Sequence, residues 1–390
     1  MFVYLDNSST TKPYDQVVDV MTEVLRNDFG NPSSLHTLGI GAEKYVKQAR
    51  KSLARSLGAA EDEVFFTSCG TEADNTAIMG AAAARKHHGK KIITTAVEHP
   101  AILEPCRKLE QQGYKVEYIG VDSKCRLNMD QLKAAIDEDT ILISIMGVNN
   151  ETGSVMPLKE IIELKDKFNK DHGTGILMHT DAVQAFGKVP VNVKGELKGI
   201  DMISVSGHKI HGPKGVGGLY VRKNLTIPAF MIGGGQEGHM RSGTENTPGI
   251  AGFGKAMDMA FEDFDGRVAS MARAKAKLLE AITADIKDII INSPEDAAPS
   301  VLNVSFMGTR GEVLLHTLEQ DGIFVSTGSA CSSNKKGQSH VLSAMGLKHK
   351  EIEGAIRFSF SEFNTDEEIE YVADKVKQAV TRFRRLGSFR

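Results

Sequence analysis

The sequence predicts an α/β protein built on a mostly parallel central sheet, followed by a smaller α+β part. Three observations carry this. Short β-rich runs recur at 63–68, 91–96, 115–120, 140–148, 176–182, 202–206 and 217–221. Stretches able to form helices, at 71–88, 101–112, 130–138 and 158–171, separate the first five of these runs. The runs are near-continuously apolar, as strands covered on both faces must be, whereas strands with one wet face alternate.

The remaining elements follow from local spacing. Ala42, Val46, Ala49, Leu53 and Leu57 recur at helical intervals, and Gly58 ends that amphipathic helix. Past residue 250 the alternation stops. A long helical stretch over 250–286 leads to a strand at 300–306, a helix at 311–320 and a strand at 323–326. A polar loop rich in glycine and serine follows, then a strand at 355–361. The last helix presents Ile369, Val372, Val376, Val380 and Phe383 on one face. A chain of 390 residues suits one large domain and one smaller one.

Composition narrows the function. The net charge is −3 with both signs interspersed, which gives no basic face for a phosphate backbone, so nucleic acid is not expected as a partner. The basic tail Arg382, Arg384, Arg385 and Arg390 ends a helical pattern, where cations suit the helix dipole. No run of about 18 apolar residues exists to span a membrane, and the N-terminus meets Asp6 too early for a signal peptide. Cys69, Cys106, Cys125 and Cys331 are scattered, without a C-x-x-C pair, so neither a zinc site nor a disulfide framework is indicated. Reduced thiols in a cytoplasm fit best.

The densest chemical signal is Ser204-Val205-Ser206-Gly207-His208-Lys209, followed by a glycine-rich loop from Gly212 to Gly218. A lysine so placed can form an imine with a carbonyl cofactor, and Ser206 and His208 can donate to a phosphate. The bland alternative is a solvated turn. A P-loop fails, because Pro213 stands where that motif needs its lysine. Thr67-Ser68-Cys69-Gly70-Thr71-Glu72 lies where a strand hands over to a helix, so free N–H groups and a positive dipole end coincide there. Plain capping by Thr71 would read the same. Glu98-His99-Pro100, Asn149-Asn150-Glu151-Thr152-Gly153 and Thr180-Asp181-Ala182-Val183-Gln184 also follow strands. Polar clusters after several strands of one sheet converge on one rim, the edge where such sheets bind ligands.

Taken with Leu5-Asp6-Asn7, Gly30-Asn31-Pro32-Ser33-Ser34, His36, Arg241-Ser242-Gly243-Thr244 and Ser329-Ala330-Cys331, these motifs make the chain resemble the cysteine desulfurases. Those are class V members of the pyridoxal-phosphate (PLP) aminotransferase superfamily, of fold type I. The likeness runs in order from about residue 3 to 385. It implies a large PLP-binding domain over 14–250, and a smaller domain from 1–13 and 251–390 that carries the cysteine loop. One departure is Asn7-Ser8-Ser9-Thr10, where the family more often has two alanines; this exchange is not expected to touch chemistry.

The resemblance assigns roles. Lys209 would be the Schiff-base lysine and the acid/base at the substrate Cα. Asp181 would bond the pyridine nitrogen, His99 would stack on the ring, and Gln184 would donate to the ring hydroxylate with Asn150 beside it. Gly70, Thr71, Ser206 and His208 would hold the phosphate. Thr244 would reach the phosphate of the other subunit of a homodimer. Arg357, with Asn150, would bind the substrate L-cysteine through its carboxylate. Cys331 would be the nucleophile that carries sulfur as a persulfide to acceptors, iron–sulfur scaffold or thiolation proteins. Its surroundings, 327–339, have almost nothing to bury, which predicts an exposed mobile loop, and Lys335 and Lys336 would favour the thiolate. Two other readings stand beside it: a selenocysteine lyase or aminotransferase of the same fold, in which Cys331 is dispensable, and a catalytically idle homologue.

Overall fold

The computed structural model describes residues 1–327, 338–385 and 387; Cys331 and its loop lie outside the described residues. Twelve described strands are β1 (Val3–Tyr4), β2 (Val64–Thr67), β3 (Lys91–Thr95), β4 (Lys115–Ile119), β5 (Thr140–Ser144), β6 (Leu177–Asp181), β7 (Met202–Ser206), β8 (Gly217–Val221), β9 (Ile289–Ile291), β10 (Val301–Phe306), β11 (Ile323–Phe324) and β12 (Ala355–Ser359). The central sheet has seven strands in the order β2-β8-β7-β6-β5-β3-β4. Pairs from β4 through β7 are parallel. Only β8 breaks the direction, running antiparallel to β7 and β2. It returns from β7 through a loop too short for a helical crossover.

All five residues of β3, β5, β6, β7 and β8 are buried, which explains their unbroken apolar runs. On one face the helices Gly70–Arg85 and Pro100–Gln111 bury Ala73, Ala77, Ala81, Ile102 and Leu109 against Ile92, Leu142 and Leu219. On the other, Thr37–Leu57, Leu158–His172 and Thr247–Glu262 contribute Val46, Leu53, Ile161, Phe253 and Met257 to a core with Ile93, Ile143 and Val205. Gly58 takes a left-handed φ of 70° after the first of these helices, as its sequence position predicts.

A second core joins Val3 and Leu5 to Met271, Leu278, Val304, Phe358, Val372 and Val376. Here β10 pairs antiparallel with both β12 and β9, and β1 runs parallel to β11. The N-terminal segment therefore crosses between the two cores and passes over the rim of the large sheet.

The structure departs from the sequence reading in several places. The stretch 250–286 is two helices, Thr247–Glu262 and Phe264–Asp285, broken at Asp263, whose carboxylate accepts from the Gly266 N–H and caps the second. The helix Asp15–Arg26 and the short strands β1 and β9 were not anticipated. The fourth run ends as strand at Ser144, not at residue 148.

Candidate active site

The carboxyl ends of β2, β3, β5, β6 and β7 open into one cavity of about 240 Å³. Its lining includes Gly70, Thr71, His99, Asn150, Asp181, Gln184, Ser206, His208, Lys209 and Arg357, so the polar clusters do meet on one rim.

Backbone geometry makes one end of the cavity an anion cradle. Cys69 precedes the helix Gly70–Arg85 in extended conformation and offers its first turn no side-chain cap, so N–H groups there lack a side-chain acceptor. A Cβ on Gly70 would lie 2.7 Å from Val183 Cγ2, so only glycine lets these loops close. The Ser206 Oγ is buried without a hydrogen-bond partner. His208 meets Thr10 Oγ1 at 3.2 Å through Nδ1. Burial first, then the charges of Lys209, Lys214 and Lys188, push the His208 imidazole down to about 4.

At the end of β6, Asp181 Oδ1 accepts from the Val183 N–H at 2.9 Å. Burial pushes its carboxyl up, against the Val183 N–H and the Lys209 charge, which pull it down. A cationic ring nitrogen would supply what this carboxylate lacks. Asp74, one turn inside the helix Gly70–Arg85, also lines the cavity. Its Oδ1 stands 3.7 Å from His179 Nε2 and has no hydrogen-bond partner. His179 is held between the Ser144 and Ser204 hydroxyls at 2.9 Å each, and burial pushes it down to about 3.

His99 caps the helix Pro100–Gln111, its Nδ1 accepting from the Ala101 N–H at 3.1 Å, which places the ring proton on Nε2. Burial, Lys209 and His340 push this imidazole down to about 4, so it is neutral at physiological pH. Lys209 ends the one-turn helix Gly207–Lys209 directly after β7, and its Nζ donates to the carbonyls of Ser8 (2.5 Å) and Ser9 (2.9 Å). Gln184 Nε2 donates to the same Ser8 carbonyl at 2.9 Å. On β12, Arg357 Nη1 donates to the Asn150 carbonyl at 3.0 Å, and Nη2 to Asp6 Oδ1 at 2.8 Å and Ser9 Oγ at 2.7 Å.

Thr244 is not in this cavity. It borders a separate hollow of about 120 Å³ with Thr67, Ser68, Arg241 and Asn246. Sequence reasoning missed the participation of Asp74, Ser8 and Ser9. Asp74 had a signal, one helical turn beyond Gly70 and Thr71 on the same face. The serines had none, because a long-range crossing of the chain brings them here. The expectation that their exchange is remote from the chemistry does not hold, since both line the cavity.

Behind His99, Glu98 is fully buried. Its Oε1 accepts from Thr95 Oγ1 at 2.8 Å and the Met146 N–H at 3.0 Å, while Oε2 has no partner. Burial pushes this carboxyl up to about 8 from the ordinary 4.5. A carboxyl raised in this way costs the fold once the unfolded chain ionises it, so its stability contribution is full below about 4.5 and is lost as pH climbs from there through about 8. Glu98→Gln mimics the protonated acid. The melting temperature of the variant relative to wild type is expected to rise with pH and level off above about 8. A pH-independent difference in matched melting curves would contradict this.

With orphaned Ser206, the uncapped helix start, buried Asp181 and Lys209 around one cavity, the residues present fit a phosphorylated pyridine aldehyde. Comparison with known proteins agrees with that chemistry. Residues 3–372 match the class-V aminotransferase family, and the chain belongs to it. This family implies a PLP cofactor.

Within the family the likeness is to cysteine desulfurases. A cysteine desulfurase of Nostoc sp. (strain PCC 7120) is 43% identical over 100% of this chain and 95% of its own length. A NifS-like protein superposes with a TM-score of 0.91 at 38% identity, covering 98% of this chain and 100% of that one. SspA, solved in complex with cysteine, superposes at 0.81 with 33% identity, covering 93% of this chain and 100% of its own. No described helix is long and apolar enough to cross a membrane.

Proposed function

We propose that this chain is a PLP-dependent cysteine desulfurase that converts L-cysteine to L-alanine and retains the sulfur. The observation that carries the reading is the meeting of Lys209, Asp181, His99, Arg357 and the Gly70–Ser206 cradle in one cavity. Full-length likeness at 43% identity to a cysteine desulfurase supports it over a selenocysteine lyase or an aminotransferase.

Gly70, Thr71, Ser206 and His208 would hold the phosphate, Asp181 the ring nitrogen, and Lys209 the aldehyde carbon, with His99, Gln184 and Asn150 around the ring. When bound, PLP supplies an electron sink for the substrate Cα. Arg357 pairs with the substrate carboxylate. Lys209 moves the Cα proton, and neutral His99, whose Nδ1 is held by the Ala101 N–H, can donate from Nε2. The thiolate of Cys331 attacks the substrate sulfur: the S–S bond forms, the Cβ–S bond breaks, and Cβ takes up a proton. Alanine departs and a persulfide stays on Cys331. That persulfide passes to acceptor proteins for iron–sulfur cluster assembly or thiolation. A cytoplasmic homodimer completes the reading, with Thr244 of each subunit serving its partner's phosphate.

Purified protein loaded with PLP, given L-cysteine and a thiol reductant, is expected to release alanine and sulfide in equal amounts. Pyruvate and sulfide without alanine would mean a different reaction class.

A further inference from the structure

Arg357 is already hydrogen-bonded before any substrate arrives, and the manner of its bonding singles out Ser9. Both protons of Nη2 are engaged, one by Asp6 Oδ1 at 2.8 Å and one by Ser9 Oγ at 2.7 Å. Nη1 donates to the Asn150 carbonyl at 3.0 Å. Nε is buried and has no partner. A guanidinium offers a carboxylate two forked faces, Nε with Nη2 or Nη1 with Nη2, and both include Nη2. A two-pronged substrate carboxylate must therefore take an Nη2 proton from one of its present acceptors.

The two acceptors are unequal. Asp6 is an anion paired with an arginine side chain only 4% exposed, and breaking such a pair leaves a charge uncompensated. Ser9 is neutral and half-buried, it lines the cavity, and its own hydroxyl proton goes to Asp6 Oδ1 at 2.8 Å. Its oxygen is the acceptor that can yield. A carboxylate bridging Nε and Nη2 would also give Nε the partner it lacks.

We propose that Ser9 is a specificity-determining residue whose hydroxyl stands in for the substrate carboxylate on Arg357 and must be displaced for substrate to bind. The proposal rests on the reading of Arg357 as the carboxylate site. It makes affinity for an amino acid's carboxylate a property tuned from the N-terminal segment, 348 residues away in the chain. With alanine at this position a mobile water replaces the tethered hydroxyl, and the substrate exchanges with solvent instead.

The test compares wild type, Ser9→Ala and Ser9→Thr as PLP-loaded enzymes. Ser9→Ala is expected to lower KM for L-cysteine about threefold to tenfold, the net scale of one hydrogen bond exchanged with solvent, with kcat moved far less. Calorimetric titration with the product L-alanine, which reads binding without turnover, should tighten by a similar factor. Cysteamine, which lacks the carboxylate, should bind wild type and Ser9→Ala alike. Ser9→Thr keeps the hydroxyl and should not show the tightened KM and alanine Kd of Ser9→Ala. An unchanged or raised KM and alanine Kd in Ser9→Ala would overturn the assignment of Ser9 while leaving the desulfurase reading intact. Failure of the wild type to turn over cysteine would overturn both.

Discussion

Lys209→Ala is expected to reduce turnover of L-cysteine by about 10²–10⁴-fold or more, the range lost with a positioned acid–base group. The loss should exceed that range because the same amine is also the covalent anchor of the cofactor. The position leaves little room for a substitute. Lys209 follows the fully buried β7 with only a one-turn helix between, so its Cα is set by the sheet. Ser8 and Ser9 receive its Nζ through their backbone carbonyls, neutral acceptors that orient the amine. Lys188 is buried and pushed down to about 7, by burial first and then by Lys209, and its own Nζ is turned toward Gln184 Oε1 at 3.2 Å. Borohydride reduction of the loaded wild type and peptide mapping should place the cofactor on Lys209, with no modified peptide from the variant. A label on Lys188 or any other lysine would overturn the site. The charge of Lys209 also helps hold His99 and His208 down, so both imidazoles should titrate at higher pH in Lys209→Ala, a shift that proton NMR reads directly.

What the sequence disclosed follows from where each signal originates. The strands of the large sheet were legible because burial on both faces writes an apolar run, and β3, β6 and β7 lie within the runs read from sequence. Lys209, Asp181 and His99 were legible for a related reason. A polar residue directly after such a run stands on the sheet's rim, whatever the rest of the fold does. The direction of β8 was not legible, since an apolar run reads the same in either sense. The break at Asp263 was hidden by helical spacing that continues on both sides of it. Asp6 and Ser9 reach Arg357, and Ser8 reaches Ser359, across about 350 positions, through pairing such as the Asp6–Ser359 bridge, and no local pattern reports that. The resemblance marked the two serines as a departure without saying what they touch. Thr244 and Arg357, and the role of Gln184, came from the resemblance alone, and Gln184 shows why such roles need testing: its amide already donates to Ser8.

Cys331→Ala is expected to abolish sulfur transfer from L-cysteine, lowering turnover by at least about 10³-fold, while substrate still binds. The described contacts that hold Lys209, Asp181 and Arg357 run to Ser8, Ser9, Val183, Asp6 and Asn150, so cysteine should still change the visible spectrum of the PLP-loaded variant. Cys331→Ser should fail equally, because a hydroxyl is a poor nucleophile toward sulfur and does not ionise near neutral pH. The other three thiols define the control. Cys106 and Cys125 are buried, and burial pushes both up to about 12, so neither supplies thiolate. Cys69 is the serious competitor, because it lines the cavity beside Gly70 and is partly accessible. It also sits at the junction of a buried strand and a helix, where it could not carry sulfur out to an acceptor without unwinding the phosphate cradle. Mass spectrometry after brief turnover should therefore find one added sulfur on the peptide holding Cys331 and none on the peptide holding Cys69. Sulfur on Cys69, or wild-type turnover by Cys331→Ala, would end the persulfide assignment and leave the lysine chemistry standing.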